Sequence, residues 1–107
     1  MGKMTNQLQW KAKLLKVTQR KDKNNRPQIE TTLVRELFYA DIGITTQEKV
    51  LSLQSKDEVV RRIKIRWDRK ITEKDHRIRI DETNYRIVRI WTNAVDREME
   101  LSLAYVS

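Results

Sequence analysis

The sequence predicts a mainly β fold: a small antiparallel β-barrel or sandwich, with one short helix after the second strand. Two observations carry this. Apolar residues alternate with charged ones in several short runs, which is the period of a strand with one buried face; "RIRIDETNYRIVRI", residues 77–90, is the clearest of them. Only two glycines and one proline occur in 107 residues, so long flexible linkers are not expected. The length suits one domain, 1–107, large enough to bury a core without staples. With five or six strands in so short a chain, closure as a barrel or a sandwich follows.

The elements read as follows. "LQWKAKLLKVTQ", residues 8–19, is a first strand. Leu8, Trp10, Ala12 and Leu14 share a face, while Leu15 and Val17 take the opposite phase, which predicts a bulge or strong bend near Leu14-Leu15. "KDKNNRP", residues 21–27, is a turn, since asparagine tolerates the left-handed region and proline lacks a donor. "QIETTLVRELFYADI", residues 28–42, is a long second strand whose imperfect alternation predicts a change of environment along its length. After Gly43, "TTQEKVLSLQ" predicts the short helix, with Thr45 and Glu48 as a capping box. Its apolar stripe, Val50, Leu51 and nearby Leu53, is narrow, so such a helix is marginal unless packed.

"EVVRRIKIRWD" is the third strand, with Val59, Ile63, Ile65 and Trp67 in one phase. "RKITEKDH" leads into the next, where Ile78 and Ile80 point one way and Arg77, Arg79 and Asp81 the other. Thr83-Asn84 is the expected tight turn, and Tyr85 and Ile87 begin the return strand. The apolar phase slips after Ile87 to Val88 and Ile90, so a second bulge is expected there. "NAVD", residues 93–96, turns the chain into "EMELSLAYV", where Met99, Leu101, Leu103 and Tyr105 alternate with Glu98, Glu100, Ser102 and Ala104. The predicted core is one cluster of Ile63, Ile65, Trp67, Ile78, Ile80, Tyr85, Ile87, Leu101 and Leu103.

The net charge is +8, and residues 1–26 hold most of it: eight Lys or Arg against the single acid Asp22. The other residues hold fifteen bases and fourteen acids. Lys11, Lys13, Lys21, Lys23 and Arg26 are therefore the candidate electrostatic contacts, toward nucleic acid or an acidic protein surface. A plainer reading stands beside this one, in which strand lysines are solvated and block edge pairing. Trp91 beside Arg89 fits a base-stacking platform, whereas Trp67, Tyr85 and Tyr105 fall in phase with the core.

Catalytic chemistry finds no constellation. There is no cysteine, one histidine, His76, and no serine in a nucleophile elbow. Gly2 and Gly43 cannot form a phosphate loop, and no carboxylate spacing matches a metal motif. No catalytic, cofactor-binding or metal-binding residue is assigned, and no enzyme is expected. No apolar run is long enough to cross a bilayer, and "MGKMTNQLQW" has no signal-peptide core.

The order of the pieces carries a resemblance. Tyr39-Ala40-Asp41 ends a strand, and Thr45 and Glu48 follow. Ile65-Arg66-Trp67 then runs into Ile71-Thr72, and Arg77-Ile78-Arg79-Ile80 into Tyr85-Arg86-Ile87-Val88. Last comes Asn93, Asp96, Arg97, Glu98, Glu100 and Leu101. In that order, from about Leu8 to the C-terminus, the chain resembles the tailed-phage head–tail joining family, also called head-closure or stopper proteins. The resemblance implies a small β-barrel that assembles with itself into a ring below the portal and its adaptor. The ring joins the head to the tail proteins and helps retain packaged double-stranded DNA. It implies a virion component made in the host cytoplasm, with no cofactor and no membrane.

On that reading Thr45, Glu48, Val50, Leu51 and Leu53 are candidate assembly contacts; the alternative is that the three apolar ones plug an end of the barrel. The arginines of "RIRI" are expected outside, among Glu98 and Glu100 or on a neighbouring subunit. The competing function is an OB-like nucleic-acid-binding barrel using the N-terminal lysines.

Overall fold

The structure is a computed structural model and describes residues 9–47, 49–50 and 58–106. Six strands follow one another: β1 (Trp10–Lys21), β2 (Pro27–Ile42), β3 (Arg61–Arg66), β4 (His76–Ile80), β5 (Thr83–Asn93) and β6 (Glu98–Tyr105). All lie in one antiparallel sheet in the order β1-β2-β3-β6-β5-β4. Because β4 pairs back onto β1 through Lys13–Lys16, the ladder closes into a barrel.

Both bulges fall where the hydrophobic phase slips. The β1–β2 register shifts between Leu14 and Leu15, with Leu14 opposite Arg35 and Leu15 opposite Leu33, so Val34 is the extra residue. The β5–β6 register shifts between Ile87 and Arg89. The slip lets Leu14 fill the barrel while Leu15, also buried, lies on the other face.

Ile63, Ile65, Ile78, Ile80, Tyr85, Ile87, Leu101 and Leu103 are buried in one cluster, joined by Ala12, Leu14, Leu37, Tyr39, Ile71 and Met99. Trp67 is a correction. β3 ends at Arg66, and the Trp67 N–H donates to the Arg97 carbonyl at 2.9 Å. The ring has left the strand phase and is 37% exposed. Trp10 and Tyr105 also lie outside the core, both more than half exposed; Tyr105 stacks on Tyr85 with ring centroids 5.6 Å apart.

Two further expectations change. The hairpin after β4 turns at Asp81-Glu82, not at Thr83-Asn84: Ile80 already pairs with Thr83. Asp81 and Glu82 have φ of 49° and 70°, the two positive values a type I′ turn requires. The helix expected over 45–54 is not supported as an element. Thr46, Gln47, Lys49 and Val50 have helical backbone, and the Lys49 N–H donates to the Thr45 carbonyl at 3.0 Å. Among the described residues that amounts to one turn, which does not support a helix as an element. Glu48, Leu51 and Leu53 lie outside the described residues.

Candidate assembly surface

The site grows out of unequal strand lengths. β2 has sixteen residues, and β1 pairs along nearly all of it, from Lys21 opposite Pro27 to Trp10 opposite Tyr39. β3 pairs only with Tyr39–Ile42 of β2, and β4 only with Lys13–Lys16 of β1. The remainder, roughly Val17–Lys21 with Pro27–Leu33, is a two-stranded arm beyond the barrel. Its tip is built by Asp22, whose Oδ1 accepts from the N–H groups of Asn24 at 2.9 Å and Arg26 at 2.8 Å. Asn25 takes φ of 64° there, in the region asparagine tolerates.

Period two gives the arm two unlike faces. Val17, Gln19 and Lys21 stand opposite Thr31, Ile29 and Pro27, continuing the face of Leu15 and Leu33. Ile29 and Leu33 are each 53% exposed on it, so the apolar side of the ribbon is open. The other face is polar: Lys16, Thr18, Arg20, Glu30 and Thr32, with Arg20 and Glu30 paired at 3.3 Å.

The five basic candidates are all exposed but do not form one patch. Lys21, Lys23 and Arg26 cluster at the arm tip. Lys11 and Lys13 lie on the barrel wall, about 25–35 Å back along β1 at the usual rise per residue. The Lys11 ammonium sits 5.9 Å from the Phe38 ring centroid. Lys13 shares a shallow cleft with Glu36, Arg79, Asp81 and Glu82, so its charge is locally answered.

Thr45 lies at a second cleft with Gln47, Arg62, Arg89, Trp91, Glu100 and Ser102, over β3, β5 and β6. Arg62 organises it: one guanidinium nitrogen pairs with Glu100 and another donates to the Gly43 carbonyl at 2.7 Å, tying the connection after β2 to the sheet. Val50 is exposed. Glu98 pairs with Lys64 at 3.7 Å. Glu98 and Glu100 therefore serve the bases of β3, not those of "RIRI". Arg77 stands directly opposite Arg86 in the β4–β5 ladder, a like-charge pairing at the sheet surface.

Sequence reasoning missed two groupings. At one barrel end Arg61 closes the core: it chelates Asp41 at 2.8 and 3.0 Å and donates to the Tyr39 hydroxyl at 3.2 Å. Its guanidinium lies 5.5 and 5.9 Å from the Tyr39 and Tyr85 ring centroids. The Asp41 hydrogen bond is the largest cause holding its pKa above the usual arginine value. Burial raises the Tyr39 hydroxyl, against the opposing pull of Arg61. The signal was there: Arg61 is in phase with Ile63 and Ile65, and a charge in the core phase at a strand end marks a cap. At the other end, where β2 parts from β3, lies a groove with Phe38 and Trp67 on its walls and Arg35 bonded to Asp68 at 2.7 Å. No sequence signal marks that groove, because its walls come from strands that part.

His76 has a local role: its Nδ1 accepts the Thr72 N–H at 3.1 Å in the turn before β4.

The comparisons agree with this anatomy. A model of the phage head completion protein family matches residues 3–104. The solution structure of a protein from Shigella flexneri 2a superposes with a TM-score of 0.71, covering 94% of this chain and 95% of that one. Sequence identity to it is 15%, so the likeness is one of fold. A search of curated protein sequences finds no match. Since the family match runs over nearly the whole chain, the protein belongs to the phage head completion proteins, a structural family of the virion whose members act with other head and tail proteins.

Proposed function

We propose that this single-domain chain is a subunit of a ring in the head–tail connector, stacked below the portal and its adaptor, joining head to tail and helping to retain the packaged DNA. The observation that carries the reading is the arm. A two-stranded ribbon with an open apolar side is marginal by itself and gains by burial against a neighbour. A second apolar surface lies apart from it on the hairpin between β5 and β6, where Trp91 and Val95 are exposed. Two unlike surfaces on one subunit are what a closed heterologous ring needs.

Of the candidate assembly contacts, Thr45 supplies a further contact at the Arg62 cleft in this proposal and Val50 an exposed apolar one, while Glu48, Leu51 and Leu53 enter it as sequence candidates alone. Lys21, Lys23 and Arg26 at the arm tip face an acidic neighbour or the passing DNA, and Lys11 and Lys13 contribute from the wall.

The test is electron microscopy of the protein mixed with a portal–adaptor complex. A stacked ring is expected. Absence of any ring overturns the reading. Steep loss of free duplex-DNA binding with salt, near −0.9 in log–log slope per neutralised phosphate, would then favour the OB-like nucleic-acid reading instead.

A further inference from the structure

The open edge of β2 has a direction, and one hydrogen bond fixes it. The Val17 N–H donates to the Asp75 carbonyl at 2.7 Å, on the β4 side of β1 and so away from β2. In an antiparallel ladder the N–H and C=O of one residue point the same way, and opposite residues share the pattern. Thr31, opposite Val17, therefore turns its own N–H and C=O away from β1, and so by period two do Ile29 and Leu33. No described strand pairs with that edge. A strand added there would lie where β3 would continue had it not left the ladder at Arg66.

That position opens on the groove already described, about 700 Å³ in volume, lined by Arg35, Leu37, Phe38, Arg66, Trp67 and Arg69 among others. Its lining carries an excess of positive charge, Arg35, Arg66 and Arg69 against Glu36 and Asp68. Asp68 is already bonded to Arg35. Glu36 stands opposite Lys13 in the ladder. Arg66 and Arg69 are exposed, and no ion pair engages either of them among the described residues; Glu98, opposite Arg66 in the β3–β6 ladder, pairs with Lys64 instead. Lys21, Lys23 and Arg26 add positive charge only at the far end of the same edge, at the arm tip.

We propose that the edge of β2 over Ile29–Leu33, continued by the Phe38–Trp67 groove, is a strand-addition site for an extended acidic segment of a different head or tail protein. The main chain of the segment takes up the free N–H and C=O groups. Its carboxylates meet Arg66 and Arg69, and an apolar side chain enters between Phe38 and Trp67. The charge argues against a second copy as occupant, because the arm tip of a copy carries the same sign as the groove. The identity of the partner as a virion protein rests on the function proposed above; the chemistry of the site does not.

The probe is a synthetic decapeptide alternating glutamate with valine, followed by amide chemical shifts and exchange in the full chain. Shifts and slowed exchange at Ile29, Thr31 and Leu33, with a shift of the Trp67 indole, are expected. The lysine-for-glutamate peptide is expected to bind at least tenfold more weakly. Thr31→Pro removes an outward donor without breaking the β1 ladder, and edge strands tolerate proline. It is expected to keep the parent melting temperature and lose binding at least tenfold. Should that variant unfold, Arg66→Glu with Arg69→Glu, both on exposed positions, decides by the same loss. Equal binding by a folded Thr31→Pro, equal binding of the lysine peptide, or stronger perturbation of the same amides by a short DNA duplex overturns the proposal. Peptide binding by a chain that forms no ring on a portal–adaptor complex upholds this site while the ring reading fails.

Discussion

Single side chains divide here into those that fill the barrel and those that finish its ends. Leu101 is fully buried, between Ile63 on β3 and Ile90 on β5. Leu101→Ala is expected to cost about 2–5 kcal/mol, read from the denaturant midpoint. An unchanged midpoint would remove β6 from the core. Glu82 holds φ of 70° with a side chain that disfavours it. Glu82→Gly is expected to stabilise by about 0.5–1 kcal/mol, since glycine is the residue a primed turn prefers in that place; chemical denaturation checks the sign. Asp68 has its carboxyl held below the ordinary value of 3.8, chiefly by the Arg35 hydrogen bond, with burial opposing and the Lys70 N–H helping. A depressed carboxylate contributes stability above its unfolded pKa and loses it as pH falls through the folded one. Unfolding measured from pH 5 to pH 2 should therefore show a shallower acid limb in Asp68→Asn than in the parent, and parallel limbs would show that the pair contributes nothing.

At the scale of elements, the arm and the barrel obey different economies. Barrel strands are paired on both sides and pack a common core, so opening any one exposes the rest. The arm strands have one partner each and an unburied apolar face, and a two-stranded ribbon is marginally stable in water. Amides that face across the arm ladder are accordingly expected to exchange much faster than those of Ile63, Ile65, Leu101 and Leu103, approaching the rate of local fraying. Equal protection of Thr18, Glu30 and Thr32 with the barrel amides in the isolated chain would mean that the arm is already covered. The bulge at Val34 sits at the junction between the two regimes. The extra residue bends β2 and moves its apolar residues from the barrel interior, at Leu37 and Tyr39, to the open side, at Leu33 and Ile29.

For the whole molecule, that division predicts a separation of stability from assembly. Ile29→Ser with Leu33→Ser removes apolar surface that the isolated chain leaves in water, so its unfolding free energy is expected to stay within about 0.5 kcal/mol of the parent. Joining of heads to tails in a reconstituted mixture is expected to fall at least tenfold. A variant that melts early would show that the face is covered within the subunit, and full joining activity would take the arm out of the interface.

The sequence by itself determined the strands and both bulges. Alternation is a local property, and a one-residue slip at Leu14-Leu15 or after Ile87 reverses the buried face wherever the chain goes afterwards. The order of the same pieces carried the resemblance to the family. The sequence also determined that positive charge is concentrated near the start, but not that a length of strand would part Lys11 and Lys13 from Lys21, Lys23 and Arg26. Tertiary structure decided what depends on where strands stop pairing. β3 stops at Arg66, so Trp67, in perfect phase with Ile63 and Ile65, leaves the core. β2 outruns β3, so its residues up to Phe38 keep an open edge beside a groove. Periodicity reports which face a residue takes while a ladder lasts; only the pairing of segments distant in the chain sets how long it lasts, and here the candidate surface is made of what lies past its end.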